Sequence, residues 1–593
     1  MIDQSNRMLM AESCKCWSPG DVGGLALTAC CSSSTCFPSP SYDHGILSII
    51  YEPQLTTTQH DGLQLSVNPG SMWAGGSTPF AVSQCPCVQG RSTRTTRCLS
   101  KNTSDRAYHW DGNRRVSIYQ GYLVRCTEML LHFTRMLTLA SRKHKHPIFT
   151  MPMLTGRTYI VADPALCAAV QKASTALSFD PIVAEITPRL IGSNEHTTRI
   201  IRGTPGKVME STNIVKKAHH IVNPSLLPQN IHGASRTQLD YFGGVIANVK
   251  DGSEIDLFRF VRRAITAASM VTFFGPDNPF EKHPELVEDF WDWEGGNVAY
   301  MAGIFPSIFA RQAARGLEAC VNGFQEYIEK EGYDNAYKVV QDRYQLHLRE
   351  GITDVRELAK LEVVIAFGFN VNAAGTTFWI VDQIFSRPDL LSKIREEIRT
   401  NALVGHGVLS ADSLRQACPQ LNSAYRETMR LFVPSASARL VNEDTIIADT
   451  WLLRKGAVVQ LAGSAIHHNQ DIWGPDADTF NPDRFLYSIS GSKTNPDGSV
   501  PEGKAHFVHP AAFRSFGGGA SLCPGRHFAH MEVLALAAVI IMNFDMEPVN
   551  GTAWNPPADV QRIPIGAQKP LAPLDIKVQV RKEFEGVKWE MKL

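Results

Sequence analysis

The stretch FGGGASLCPG, residues 516–525, sets one cysteine, Cys523, between three consecutive glycines and a Pro-Gly pair. A cysteine that binds a metal does so as the thiolate, and backbone N–H groups or the positive end of a helix favour that charged form. The run GRHFAHMEVLALAAVIIMNF starts directly after Pro524 with the apolar density of a buried helix, so Cys523 is expected just before a helix N-terminus. Gly517, Gly518 and Gly519 let the backbone approach a flat ligand closely, and Gly525 opens the far side. One thiolate without a partner cysteine suits an axial haem ligand better than zinc or an iron–sulfur cluster, which take several ligands. A glycine-rich turn around a buried, inert cysteine is the plainer alternative.

Two further groups carry charge at telling positions. In ETMR, Glu427 and Arg430 stand three residues apart, on one face of a helix where they can pair, as a surface ion pair also would. Asn372 interrupts the apolar stretch FGFNVNAAGTTFWIVDQ, and an amide in such a helix needs a hydrogen-bonding partner whatever its role.

The elements that must position these groups are mostly helical. DLFRFVRRAITAASMVTFFG, GLEACVNGFQEYIEKEG and VRELAKLEVVIAFGFNVNAAGTTFWIVDQIFSRP show the clearest helical periods, and the last stops where Arg387 meets Pro388. Strand-like pieces lie at 148–164, in DTIIADTWLLRKGAVVQLAG and in LDIKVQV. A mostly α domain with small β-sheets is expected over 113–593. Residues 1–112, rich in Ser, Thr, Gly, Cys and Pro and without a sustained period, read as an atypical extension that is disordered or absent from the mature protein.

Composition narrows the partners. With 44% hydrophobic and 20% charged residues the chain has ample core, and its 58 basic residues balance 58 acidic ones, so nothing points to nucleic acid. Eight of the thirteen cysteines crowd the first hundred residues and the other five are scattered, unlike a secreted disulfide framework. CKC and CPC lack the CxxC and His spacing of a zinc site. No stretch reads as a transmembrane span. Residues 122–143 pattern as an amphipathic helix suited to peripheral contact with a membrane surface.

Phe516, Gly519, Cys523 and Gly525 together resemble the haem-binding signature of the cytochrome P450 superfamily. ETMR and FNPDRF resemble two further signatures of that family, in the family's order. The texture of FGGGASLCPGRHFA is similar to the sterol 7α-hydroxylase and prostacyclin synthase branch and its fungal relatives. The resemblance implies a cytochrome P450 fold with haem between a long central helix and the Cys loop, and Cys523 as the axial iron ligand. It implies a structural network of Glu427, Arg430 and Arg484, and a haem-propionate contact from Arg439. Three departures stand out. Ser521 occupies the place of the family's usual basic residue. Val215 and His219 replace a Trp and an Arg at a second propionate site, where Lys216, Lys217 or His219 could substitute. Asn372 and Ala373, or Val371 in a shifted register, fall where an acid–threonine pair relays protons, with Thr376 and Thr377 one turn later. Asn372 and Thr376 are therefore the candidate catalytic residues, Asn372 by binding oxygen or positioning a water.

As function, the resemblance implies a haem-thiolate monooxygenase that uses O2 and electrons from NADPH through a separate cytochrome P450 reductase. Its expected substrate is a lipophilic terpenoid, sterol or polyketide, in fungal secondary metabolism. The segments expected to face it are 297–305, 366–376, Ser435–Ala438 and 563–573, which are largely apolar. Association with the endoplasmic reticulum membrane is implied as well. A haem-thiolate isomerase or dehydratase acting on a peroxide, needing neither reductase nor proton relay, is the alternative. A non-catalytic relative is a third reading.

Overall fold

The computed structural model describes residues 146–153, 156–203, 213–301, 308, 310–486, 508–560 and 566–592. The extension 1–112, the amphipathic segment 122–143 and parts of two expected substrate-facing segments (302–305 and 563–565) lie outside the described residues.

Helices dominate, and those that matter for the site are α1 (Pro164–Lys172), α2 (Ile214–Ser225), α3 (Leu257–Phe274), α4 (Leu286–Met301), α5 (Arg311–Glu329), α6 (Val355–Phe385), α7 (Pro419–Phe432) and α8 (Arg526–Asn543). Helix α6, 31 residues long, starts where the Asp354 carboxylate accepts the Arg356 N–H at 2.9 Å. It ends at Phe385, just before Pro388 opens the next helix, as the Arg-Pro junction predicts. By length and composition α6 is apolar enough to cross a membrane. It packs instead against α3, α5, α7 and α8, and most of its residues are buried, so its apolarity is that of a core helix.

Aromatic rings weld this centre. Phe273 of α3 stacks on Phe369 of α6 with centroids 3.8 Å apart and meets Phe528 of α8 edge-on at 5.0 Å. Trp379 of α6 stacks on Phe432 of α7 at 4.1 Å. Burying an aromatic ring of this kind contributes about 1.5–3 kcal/mol by transfer from water, with roughly 1 kcal/mol more from ring geometry.

Five strands form the largest sheet: β1 (Ile148–Met153), β2 (Gly156–Val161), β3 (Leu177–Ser178), β4 (Ala436–Val441) and β5 (Val458–Ala462), in spatial order β1-β2-β5-β4-β3. β5 runs parallel to β2 and antiparallel to β4, with Val459 opposite Arg439. Smaller sheets complete the mostly α architecture expected from the sequence.

Helices α4 and α5 approach closely because Gly316 carries no side chain: a Cβ there would run into the Asp289 carbonyl. Gly316→Ala should destabilise the protein by about 1–3 kcal/mol through overpacking, lowering its unfolding temperature in a thermal melt by several degrees. An unchanged melt would show that the two helices separate at no cost.

Candidate active site

The cysteine loop is built from its backbone. Gly517 and Gly519 have φ of +75° and +64°, a region open to glycine and strained for other residues. A Cβ on Gly519 would also meet Gln171 of α1 at 2.9 Å, so these glycines seat the loop against α1. The Phe516 carbonyl accepts the Cys523 N–H at 3.0 Å and closes the turn. Helix α8 then begins at Arg526, three residues past the cysteine, as predicted.

Four free cysteines lie among the described residues, and Cys523 differs from the other three. Burial pushes the Cys167 thiol up to about 11 and the Cys418 thiol to about 12, and Cys320 is higher still. Burial also raises Cys523, but the N–H groups of Gly525 and Arg526 on its sulfur and the Arg526 charge pull it back. Cys523 is half-buried while the other three are fully buried. A half-buried, amide-solvated sulfur at a helix N-terminus is the donor a metal would take.

The charged network sits behind the loop. Glu427 and Arg430 are wholly buried on α7, and Arg430 donates to both carboxylate oxygens, at 2.8 and 2.7 Å. Arg484 donates its Nε to the same two oxygens at 3.0 and 3.1 Å, and the Asn481 N–H adds a further bond at 3.0 Å. Each guanidinium is satisfied on its outer side by carbonyls: Arg430 by His467 and Ala477 at 2.6 and 2.7 Å, Arg484 by Trp473 at 2.6 Å. The structure brings these three side chains together on one carboxylate.

His467 carries the network to the loop. Its ring Nε2 accepts the Arg514 N–H at 2.8 Å, and Ser515 Oγ donates to the Met429 carbonyl at 2.9 Å. Burial and neighbouring cations hold His467 well below its usual pKa, so the neutral ring accepts. Neither His467 nor Arg514 stands out in the sequence, since each acts through a backbone group distant in the chain.

Arg439 lies on β4, 4% exposed, donating to the Ala438 carbonyl at 2.6 Å and to Ser437 Oγ at 2.7 Å. Its Nη2 also bonds Ser521 Oγ, so the serine at the loop's unusual position is tied to this arginine. Lys217 and His219 are turned elsewhere, to Glu350 and Asp180 respectively. Val215 is buried.

On α6, Gly368 and Asn372 are exposed one turn apart in the middle of a core helix, which marks open space along that face. Asn372 Oδ1 accepts the Ala567 N–H at 2.8 Å. Gly375 leaves room for Ala567, and Trp379 Nε1 donates to the Gln568 carbonyl at 2.8 Å. Asn372, Gly375 and Trp379 thus clamp the 566–568 loop on α6. Thr376 is buried; its hydroxyl donates to the Asn372 carbonyl at 2.7 Å and lies 3.6 Å from Met429 Sδ. Thr376 and Asn372 therefore point to different neighbours.

The family model described as Cytochrome P450 matches residues 130–570, well over half of the chain. The chain belongs to the cytochrome P450 family. It is similar to the cytochrome P450 monooxygenase nodJ of Hypoxylon pulicicidum, 29% identical over 462 residues that cover 76% of this chain and 86% of that protein. A cytochrome P450 monooxygenase of Gibberella zeae is 28% identical over 432 residues, 70% and 78% of the two chains. Cholesterol 7-alpha-monooxygenase of Cricetulus griseus is 25% identical over 342 residues, 55% and 66%. This P450 is an oxidoreductase of the monooxygenase type, and its cofactor is haem with a cysteine thiolate ligand. Among the described residues no cluster of three or more His, Cys, Asp or Glu could hold a metal ion.

Removing the carboxylate while keeping its shape isolates the network. Glu427→Gln leaves the wholly buried Arg430 without a carboxylate and Arg484 with Asp476 alone, and should cost about 3–5 kcal/mol. Recovery of haem-loaded protein should fall sharply and its melt move down. Wild-type stability in that variant would show that the carbonyls and Asp476 suffice to hold both arginines.

Proposed function

We propose that Cys523 is the axial haem ligand and that this P450 hydroxylates or otherwise oxidises a lipophilic small molecule, with electrons from NADPH delivered by a separate reductase. The observation that carries this reading is the Cys523 sulfur, half-buried before α8 and facing the N–H groups of Gly525 and Arg526. Haem held there supplies dioxygen activation, because thiolate donation to iron favours O–O cleavage. The residues of this chain orient the sulfur, exclude water and shape the substrate's surroundings.

Glu427, Arg430 and Arg484 support this role from behind, as a rigid mount for the loop. Asn372 acts from α6. Its Oδ1 is occupied by the Ala567 N–H, so Nδ2, a donor without a partner among the described residues, is the atom that would position a water. Thr376 fixes the Asn372 backbone through its hydroxyl. Asn372 cannot serve as an acid, so protons reach the site through water that it orders.

The apolar residues of the segment 366–376, among them Phe367, Phe369 and Val371, favour a lipophilic substrate such as a terpenoid, sterol or polyketide. The fungal relatives named as P450 monooxygenases support a place in fungal secondary metabolism, and the one named for cholesterol supports a polycyclic substrate. Leu522, 37% exposed on the loop, with Arg526 and His527 beside it, offers the reductase a docking face. Association with the endoplasmic reticulum membrane would bring that reductase and lipophilic substrates together.

The carbon monoxide difference spectrum of the reduced protein tests the ligand. A strongly red-shifted Soret band is expected in the wild type and its loss in Cys523→Ser; a thiolate band surviving in C523S would remove Cys523 from the role. Asn372→Ala should raise the fraction of electrons lost to peroxide several-fold during NADPH- and reductase-driven turnover. Unchanged coupling would confine Asn372 to clamping the 566–568 loop, and substrate conversion with a peroxide alone, indifferent to reductase, would favour the isomerase reading.

A further inference from the structure

The cysteine loop lacks a base at Ser521, yet a second guanidinium is buried at its other end. Arg514 is 1% exposed, and its Nε and Nη2 have no hydrogen-bond partner; Nη1 reaches only the Ala511 carbonyl, at 3.5 Å. A buried guanidinium with free N–H groups is among the costliest groups a fold can hold, by several kcal/mol when nothing answers its charge. Arg439 shares the problem. Its contacts are carbonyl and hydroxyl oxygens and the face of Phe179, 5.4 Å away, none of them charged. Burial first, and then the neighbouring Arg514 charge, depress Arg439 to about 10.

The groups around Arg514 do not supply the missing anion. Cys167 faces it from α1, but that thiol is held neutral and donates to the Val161 carbonyl. His467 is neutral and accepts the Arg514 backbone N–H. The Asp163 carboxylate is engaged by the Leu166 N–H at the start of α1, and Asp180, which acts on Arg439 from farther away, pairs with His219. Among the described residues no carboxylate forms an ion pair with either arginine. Two neighbouring buried cations without a carboxylate, one of them with unsatisfied donors, are a site for a dianion, or for two carboxylates on one ligand.

We propose that Arg514 joins Arg439 in binding the haem propionates, supplying from the start of the loop the positive charge that the chain lacks at Ser521. Ser521 then serves to orient Arg439 through its hydroxyl. This assignment rests on Cys523 holding haem in the same loop.

Haem and its dimethyl ester, loaded separately into apoprotein of the wild type and of Arg514→Gln, test the pairing by the rate of transfer to apomyoglobin. Losing a charge-assisted hydrogen bond should speed wild-type loss about ten- to a hundredfold on esterification. In R514Q free haem should escape faster than from the wild type, and esterification should add much less. Ser521→Arg in the R514Q background should slow the loss again. An equal esterification penalty in wild type and R514Q, with the thiolate band intact in both, overturns the role of Arg514. Should R514Q not fold, Arg514→Lys decides: its single ammonium cannot fork to two oxygens, so loss should rise several-fold, and an unchanged rate overturns the proposal. Absence of a thiolate band in the wild type itself would overturn the Cys523 reading and this one with it.

Discussion

One carboxylate sets the geometry of the proximal half of the molecule. Glu427, fully buried, accepts from two arginines and a backbone N–H, and each arginine extends outward to carbonyls of the 466–479 region. Such a cluster tolerates no partial assembly, because any single missing member leaves charge in a place of low dielectric. It therefore forms completely or not at all, and its rigidity passes to whatever is bonded to it. His467 is that connection: its carbonyl serves Arg430 and its ring accepts the first N–H of the cysteine loop. The other end of the loop is fixed by α8, where the His530 ring meets Asn422 Oδ1 of α7 at 2.9 Å. The Cys523 sulfur is thus held between two anchors on one helix.

Much of this was legible in the sequence, and the reason is local chemistry. Cys523, its glycines and the helix after it occupy a short continuous stretch, and Glu427 with Arg430 share one helical turn. Backbone rules alone place such groups. The central helix and its stop before Pro388 were legible for the same reason, as was the mostly α class with small sheets. Arg484 was legible only through resemblance, because nothing in FNPDRF itself says which carboxylate it meets.

What escaped was contact between distant parts of the chain. The Asn372 amide needed a partner on physical grounds, but that the partner is the Ala567 N–H, 195 residues away, depends on how the C-terminal loop crosses α6. The glycines of the cysteine loop invited a reading as clearance for a flat ligand. The structure gives Gly517 and Gly519 a conformational reason and Gly519 a packing reason against Gln171. Arg514 was invisible because an arginine next to a loop is ordinarily solvated, and only its burial with unpartnered nitrogens makes it informative.

The charges on either side of the loop follow one logic. At the sulfur, burial raises the thiol, and the amide N–H groups and the α8 terminus work against that rise. At Arg439 and Arg514, two cations are buried without carboxylates, which disfavours the empty protein and favours a ligand that brings its own. On the proposed assignments, a haem with an electrophilic iron at its centre and carboxylates at its edge would answer both conditions at once. Binding it would then remove two penalties of the apoprotein, since a ligand that binds only the folded state raises stability by mass action. On that reading, folding of the loop and loading of the cofactor are coupled through electrostatics, with the Glu427 network supplying the fixed frame against which that coupling acts.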